Sequence, residues 1–452
     1  MASTKSQFMV NAFDVSTTDS LDPAIQAIVR RRARILGPGY KLFYKTPLEL
    51  VRGEGVYMYD TQGNRYLDAY NNVPSVGHCH PHVVKAISEQ AAKLNTHTRY
   101  AAEPILDYSE RLLATFPAEL DNVMFTCTGS EAVDLALRIS RFHTQGTGVI
   151  VTANAYHGLT TAAAEISPQL GANVPIGQHV WTVEAPKPDR NDGKDPGTEF
   201  AAGVAAAIAD MQRHGIKFAG FIADTLFSTD GILPDPAGFL QPTVDVVHAA
   251  GGLYIADEVQ PGFARTGDTM WGFQRHGIVP DIAVMGKPMG NGMPIAGVVV
   301  KSTILAGFGN KVRYFNTFGG NSVSIAAAAA VLDVIEGEGL LENSQKIGRY
   351  LKDELVRLTA GAENVSAVRG AGLYLAVDFV DQAGLPDAAA ASDTINGLRQ
   401  RGVLIGGTGM YGNTLKIRPL LPFTHSHADE FLNAFEDTLA SVASTGHKNA
   451  GH

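Results

Sequence analysis

Apolar and polar residues alternate along 51–70 about the turn Asp60-Thr-Gln-Gly63, a pattern that predicts a β-hairpin or meander. Near residue 80 the rhythm changes. Apolar spacing predicts helices over 82–93, 131–142 and 201–214, while short apolar runs at 122–126, 148–151, 218–223, 252–256 and 282–285 have the length of buried strands. Buried strands alternating with helices imply a mainly parallel sheet covered on both faces. Ligands collect at the carboxyl ends of such strands, so the residues just after these runs are the ones to question. The Ala-rich stretch 325–331 reads as buried helix. A second unit begins near residue 331, with helices over 331–336, 344–358 and 428–442, strands over 373–379 and 415–418, and a polar tail. The expected fold class is therefore α/β. A large domain of residues 76–330 holds the central sheet, and a smaller α+β domain draws on both termini, residues 1–75 and 331–452.

Composition narrows the class of protein. The chain has 452 residues, of which 45% are hydrophobic and only 18% charged. That charged fraction lies below the roughly 25% of an average soluble protein, which points to surface buried between subunits or domains and excludes disorder. A net charge of −9 and the absence of a long Lys/Arg run argue against nucleic-acid or anionic-membrane partners. Two cysteines, Cys79 and Cys127, make no disulfide framework, and a reducing compartment fits them. The first 29 residues carry Lys5, Asp14, Asp19 and Asp22 but no Arg, and lack the apolar core of a signal peptide. No uncharged apolar run reaches bilayer length. A soluble, cytoplasmic enzyme is expected.

Candidate chemistry gathers at three strand ends. Thr126-Cys-Thr-Gly-Ser-Glu131 follows one strand and opens a helix, where Gly129 permits close backbone approach and free N–H groups with the Ser130 hydroxyl favour an anion. The same residues also read as an ordinary helix cap. Asp257-Glu258 ends the run 252–256, and an acid there needs a cationic partner, such as a protonated ring nitrogen, or else serves as a cap or turn. Lys287 ends the run 282–285 and precedes the Gly-rich Gly290-Asn-Gly292; at a strand end it is either solvated or a lowered-pKa Schiff-base nucleophile. Together, a phosphate seat, an acid for a pyridinium and a Lys for an aldehyde compose a pyridoxal phosphate (PLP) constellation. The run His78-Cys-His80-Pro-His82 has ligand-type side chains but no second cluster to complete a tetrahedral set, so no metal is expected. Arg30, Arg31, Arg32 and Arg34 read as a solvated helix face, and Trp181 and Trp271 as packing residues.

The ordered motifs Tyr66-Leu-Asp-Ala-Tyr-Asn-Asn, Gly77-His-Cys-His-Pro81, Thr128-Gly-Ser-Glu-Ala132, Ala155-Tyr-His-Gly158, Ile255-Ala-Asp-Glu-Val259, Gly286-Lys287, Phe315-Asn-Thr-Phe-Gly-Gly-Asn321 and Val368-Arg-Gly-Ala-Gly-Leu373 resemble the class III aminotransferases, PLP enzymes of fold type I, over roughly residues 30–440. The resemblance implies that Lys287 forms the aldimine and that Asp257 pairs with the pyridine nitrogen. It further implies that Gly129 and Ser130 hold the phosphate, that Tyr156 stacks on the ring with His157 beside it, and that Gln260 lies near the ring hydroxyl. Thr317 is expected to reach the cofactor of a neighbouring subunit, making an obligate homodimer with shared sites that can pair into a tetramer. Transamination is the first expected activity, moving an amino group from an amine or amino acid, preferably ω-amino, to a keto acid or aldehyde through pyridoxamine phosphate.

Three departures bear on the substrate. Where the family places an Arg ahead of a Pro-Pro pair, this chain has Lys416-Ile-Arg418-Pro-Leu, so Lys416 and Arg418 are the candidate anion binders, without the bidentate fork at the aligned position. Asp224-Thr-Leu-Phe replaces a Glu-Pro-Val-Gln run, and Val133 stands where Asn is common. Within the family the segments around Asn71, Lys287 and Thr317 are most similar to the subgroup that contains ethanolamine-phosphate and phosphohydroxylysine phospho-lyases, making phosphate elimination from O-phosphoethanolamine-like substrates the alternative activity.

Overall fold

The computed structural model describes residues 9–186 and 195–449, with the side chains of the last helix described to residue 442. Lys5 and the polar end after Asn449 lie outside the described residues. A seven-stranded sheet runs in the order Asn122–Thr126, Ala296–Val300, Ile282–Met285, Leu253–Asp257, Phe218–Asp224, Gly148–Thr152, Val180–Val183. The last five strands in that order are mutually parallel, and Ala296–Val300 is antiparallel to both of its neighbours. Sequence pattern missed the strand Ala296–Val300. Its direction has a simple cause: residues 286–295 are too few for the crossover a parallel partner needs, so the chain must turn back. That turn carries Lys287.

Both faces of the sheet are covered, as continuous apolar strands require. On one face the helix Gly129–Thr144 buries Ala132, Val133, Leu135, Ala136 and Ile139 against Val149, Ile222, Ile255 and Val284. On the other, Phe200, Phe221, Tyr254 and Trp271 belong to a larger core that continues into the rest of the molecule. At the amino edge, Asp281 joins the strands by accepting from His248 Nε2 at 2.8 Å, Tyr254 N at 2.9 Å and Lys301 Nζ at 2.7 Å.

Two smaller sheets complete the fold. The meander Leu50–Glu54, Tyr57–Asp60, Arg65–Asp68 forms as the alternation predicts and takes Val403–Leu404 as a parallel fourth strand. An antiparallel sheet follows the order Val365–Ala371, Tyr374–Phe379, Thr414–Ile417, Gly406–Thr408. Arg418 sits just past its strand, with its N–H bonded to Ala69 O at 2.7 Å. The helix Ser322–Gly337 runs unbroken through residue 331. Its Ala-rich sequence is apolar on every side and gives no 3.6-residue contrast by which to find its start. The helix Glu103–Leu113 was also absent from the sequence pattern.

Buried arginines tie these parts together. Arg265 is 1% exposed and donates to Leu373 O at 3.0 Å, to Pro419 O and to Ser75 Oγ at 3.3 Å. Arg369 pairs with Asp378 at 2.7 Å while donating to Gly231 O at 2.8 Å and Ile232 O at 3.1 Å. The loop after the strand Phe218–Asp224 is thereby fixed to the antiparallel sheet. Thr408 Oγ1 adds a bond to Ser228 O at 2.8 Å. The histidines of the 78–82 run turn to separate carboxylates: His78 to Asp68 at 2.8 Å, His80 to Glu338 at 3.0 Å and His82 to Asp333 at 2.8 Å. Arg30, Arg31 and Arg34 are exposed on the helix Pro23–Leu36. Among the described residues no helix is long and apolar enough to cross a membrane.

Trp271 is fully buried, stacked on Phe116 at 4.3 Å and edge-on to Phe263 at 4.9 Å, with Nε1 donating to Thr115 Oγ1 at 2.9 Å. Trp271→Ala should destabilise the fold by about 3–5 kcal/mol. Trp271→Phe, which keeps an aromatic ring, should lose closer to the roughly 1 kcal/mol of the hydrogen bond. Denaturant melts of the two variants check the ranking; equal losses would contradict it.

Candidate active site

The carboxyl edge of the central sheet encloses a cavity of about 130 Å³ lined by Gly129, Ser130, Tyr156, His157, Gly158, Asp224, Asp257, Val259, Gln260 and Lys287. Seven of these are positions the sequence singled out for a cofactor, brought together from four separate segments of chain.

One wall is the start of the helix Gly129–Thr144. Thr128 caps it, with Oγ1 accepting Glu131 N at 3.2 Å, and Glu131 Oε2 reaches back to Cys127 N at 2.7 Å and Thr128 N at 3.1 Å. Glu131 therefore serves the helix end itself. The N–H groups of Gly129 and Ser130 have no intrahelical acceptor, and the helix dipole adds to their pull on an anion. Ser130 Oγ accepts Leu159 N at 3.0 Å and keeps its O–H to donate. Gly158 closes against this residue with φ +138°, and a Cβ there would fall 2.5 Å from Ser130 Oγ. Glycine is thus required where Tyr156 and His157 turn toward the cavity.

At the opposite wall Asp257 ends its strand 5% exposed. Val259 N donates to Oδ1 at 3.1 Å, and His157 Nδ1 lies 2.6 Å from Oδ2. The outer nitrogen of that ring, Nε2, is buried with no partner among the described residues. Burial, reinforced by Asp257, raises the Tyr156 phenol and keeps it neutral. Glu258, one residue on, points the other way. It accepts Gly272 N at 2.7 Å, Phe273 N at 2.9 Å and Thr225 Oγ1 at 3.0 Å inside the core.

Lys287 enters from the turn after Ile282–Met285, in the left-handed region at φ 37°. Burial, helped by the Arg418 charge and opposed by Asp257 and Asp224, lowers its ammonium to about 8. Behind it stands a group of cations. Lys416 is 6% exposed, 5.6 Å above the Tyr374 ring, and burial together with Arg418 and Lys287 holds its ammonium well below the ordinary range. Arg418 is 4% exposed between Tyr70 at 4.7 Å and Tyr374 at 5.7 Å. Its Nη1 donates to Gln260 Oε1 at 2.5 Å and Asn72 Oδ1 at 3.2 Å, and Nε has no partner. Among the described residues no carboxylate forms an ion pair with Lys416 or Arg418. Ser228 and Tyr374 place buried hydroxyls in the same region, the Ser228 side chain facing both Asp224 and Tyr374.

Thr317 stands apart, exposed on the loop after residue 312, and does not line the cavity of its own chain. Its neighbours Phe315, Asn316 and Gly319 border a separate groove of about 590 Å³ with Arg99, Tyr100 and Phe125. Sequence reasoning assigned no site role to Asn72, Tyr70, Ser228 or Tyr374. Asn72 and Tyr70 lay inside a motif read as a whole, while Ser228 and Tyr374 carry no local signal.

Known proteins match most of this chain. The family model described as Aminotransferase class-III matches residues 43–439. "Alanine--glyoxylate aminotransferase 2-like" of Drosophila melanogaster is 39% identical, with 92% of this chain and 87% of the relative aligned. "Ethanolamine-phosphate phospho-lyase homolog 1" of Caenorhabditis elegans is 36% identical, covering 92% and 93%. A phospholyase from Arthrobacter, solved in complex with phosphoethanolamine, superposes with a TM-score of 0.89 at 43% identity, covering 92% of this chain and 99% of its own. Class III aminotransferases are PLP-dependent, and the cavity suits that group. The Gly158–Ser130 cradle and the open helix start would suit a phosphate, Asp257 a ring N–H, and Lys287 an aldehyde.

The lowered ammonium of Lys287 has a measurable consequence. In the cofactor-free protein its reaction with an aldehyde reagent, followed by reductive trapping and peptide mapping, should rise to half-maximum near pH 8, because the neutral amine is the reactive form. A half-maximum near the ordinary lysine value of about 10.4 would mean that the buried environment leaves this group unperturbed.

Proposed function

The chain belongs to the class III aminotransferase family, and within it we propose that it acts as a PLP-dependent phospho-lyase, releasing phosphate and ammonia from an O-phosphorylated 2-amino alcohol such as O-phosphoethanolamine. The observation that carries this reading is the buried pair Lys416 and Arg418. Among the described residues neither of these basic side chains beside Lys287 forms an ion pair with a carboxylate, and both lie against the Tyr374 ring. Burying like-charged basic groups side by side is costly, and an arriving anion relieves that cost. A phosphate dianion supplies two negative charges and several acceptor oxygens, whereas a neutral amine supplies none.

Bound PLP supplies the electron sink that makes the substrate's Cα–H acidic. The chain does the rest. Gly129, Ser130 and Gly158 would hold the cofactor's phosphate, and Tyr156 would flank its ring. Asp257, oriented by His157 and Val259 N, keeps a proton on the pyridine nitrogen. Gln260 gives its carbonyl to Asn72 and Arg418, which leaves its amide N–H groups free for the ring hydroxyl. Lys287 Nζ, with its lowered affinity for protons, removes the Cα proton. Lys416 and Arg418 orient the ester so that its Cβ–O bond is the one that breaks.

Transamination between an amine or ω-amino acid and a keto acid is the second reading. It is favoured by the same cation pair, which also fits a carboxylate, and by the Drosophila relative's description as an aminotransferase. We also propose a homodimer with shared sites, because Thr317 is exposed and does not line its own cavity, and it is flanked by Phe315 and by Phe318, which is 69% exposed.

Two measurements test the proposal. Incubated with O-phosphoethanolamine and no keto acid, the enzyme should release inorganic phosphate over many turnovers. If it instead consumes pyruvate, makes alanine and frees no phosphate, transamination is the activity. Lys416→Met should raise KM for O-phosphoethanolamine about 10- to 150-fold, the worth of roughly 1.5–3 kcal/mol for a charge-assisted bond, with cofactor loading unchanged.

A further inference from the structure

Phosphate elimination raises a question that the cofactor machinery leaves open. When the Cβ–O bond breaks, its electron pair goes to the ester oxygen, and phosphate leaving without a proton is a strongly basic trianion. Some group in the cavity has to protonate that oxygen. Lys287 is committed to the Cα proton. In the reading above Lys416 and Arg418 are engaged with the ester's phosphate oxygens and Tyr156 with the cofactor ring, and Asp257 is occupied by His157 and the Val259 N–H. Asp224 remains. It lines the cavity with Lys287 and pairs in register with Asp257 across two adjacent parallel strands, so the two carboxyl groups stand side by side on one face of the sheet.

Asp224 is held in place by the backbone. Leu226 N donates to Oδ1 at 2.9 Å and Ser228 N to Oδ2 at 3.1 Å, in a loop that Arg369 and Thr408 clamp from outside. No cation forms an ion pair with it among the described residues. The charged and titratable groups around it are Asp257, Asp230, Glu258, Lys287, Lys416, Tyr254 and Tyr374. Burial, joined by the Asp257 charge beside it, works against ionisation and outweighs the Ser228 side chain and the two backbone donors. Two neighbouring carboxyls with one fixed as the anion leave the other as the acid.

We propose that the Asp224 carboxyl group is the acid that protonates the ester oxygen of the departing phosphate. The assignment rests on the phospho-lyase reading above. Lys287 Nζ takes the Cα proton, and the released electron pair becomes the second bond between Cα and Cβ. The Cβ–O bond breaks, the oxygen takes the Asp224 proton, and the proton gained by Lys287 restores Asp224. No oxidant or co-reactant is needed.

The test uses the PLP-loaded enzyme and a change of leaving group. Sulfate departs as a weakly basic dianion that needs no proton, so 2-aminoethyl sulfate serves as the control ester. Asp224→Asn should cut phosphate release from O-phosphoethanolamine by roughly 10²–10⁴-fold while changing sulfate release by less than about threefold. Exchange of the Cα hydrogen with deuterated water should persist in the variant, since Lys287 is intact. Affinity for inorganic phosphate, read by calorimetry, should change by less than about twofold, because a neutral acid is replaced by a neutral amide. Equal losses on both esters would overturn the assignment, since Asp224 would then only position the site. Undiminished phosphate release would also overturn it and pass the role to Lys287. Phosphate binding tightened about tenfold would reveal an ionised Asp224 and exclude it as the acid. If the unaltered enzyme frees no phosphate at all, the phospho-lyase reading falls and takes this step with it.

Discussion

The structure turns on the withdrawal of ionisable groups from water at one edge of a sheet. Asp224, Asp257, Lys287, Lys416 and Arg418 share a region in which each charge is felt by the next. In bulk water these groups would titrate independently. Here burial depresses the two lysines and raises Asp224, and the signs cross-couple: Arg418 lowers Lys287, while Asp257 supports it and opposes Asp224. One small cavity therefore brings together an acidic, a basic and an anion-accepting wall. Every surrounding element serves to keep that arrangement dry and in place.

Much of this was legible in the sequence because the fold puts chemistry where apolar runs end. Asp257 and Lys287 declared themselves by terminating buried strands, and Gly129-Ser130 by lying between a strand and a helix. All four positions line one cavity. The parallel alternation and the early meander were also legible, since their periods differ. Other features left no local mark. The antiparallel strand Ala296–Val300 is recognisable only from the shortness of the turn before it, and the helix Ser322–Gly337 hides its start in uniform apolarity. Tyr374 and Ser228 come near Lys416 only through sheet register and loop docking, which one-dimensional spacing does not encode. The Lys416-Ile-Arg418 pair was readable as an anion site, but its lack of any carboxylate partner became apparent only in three dimensions.

The clamp between the central sheet and the antiparallel sheet explains how a loop can hold a rigid acid. Arg369 spends its donors on the carbonyls of Gly231 and Ile232 and on Asp378. Arg265 is buried with only carbonyls and one hydroxyl to bond, and burial lowers its guanidinium to about 9. Both contacts reward one relative placement of the two sheets, since any slip would strand a buried charge without acceptors. Positive φ at Phe227 and Ile232 within the clamped loop is tolerated for the same reason.

The adjacent acids Asp257 and Glu258 belong to different economies of the molecule. Side chains on consecutive residues leave the strand in opposite directions, so Asp257 reaches the cavity while Glu258 secures the turn at Gly272 and Phe273. Selection acts on the first through chemistry and on the second through folding. In a descendant lineage released from catalysis, the first carboxylate is free to drift and the second is not. A gene copy that had lost its reaction would thus betray its ancestry by keeping the glutamate after the aspartate had gone.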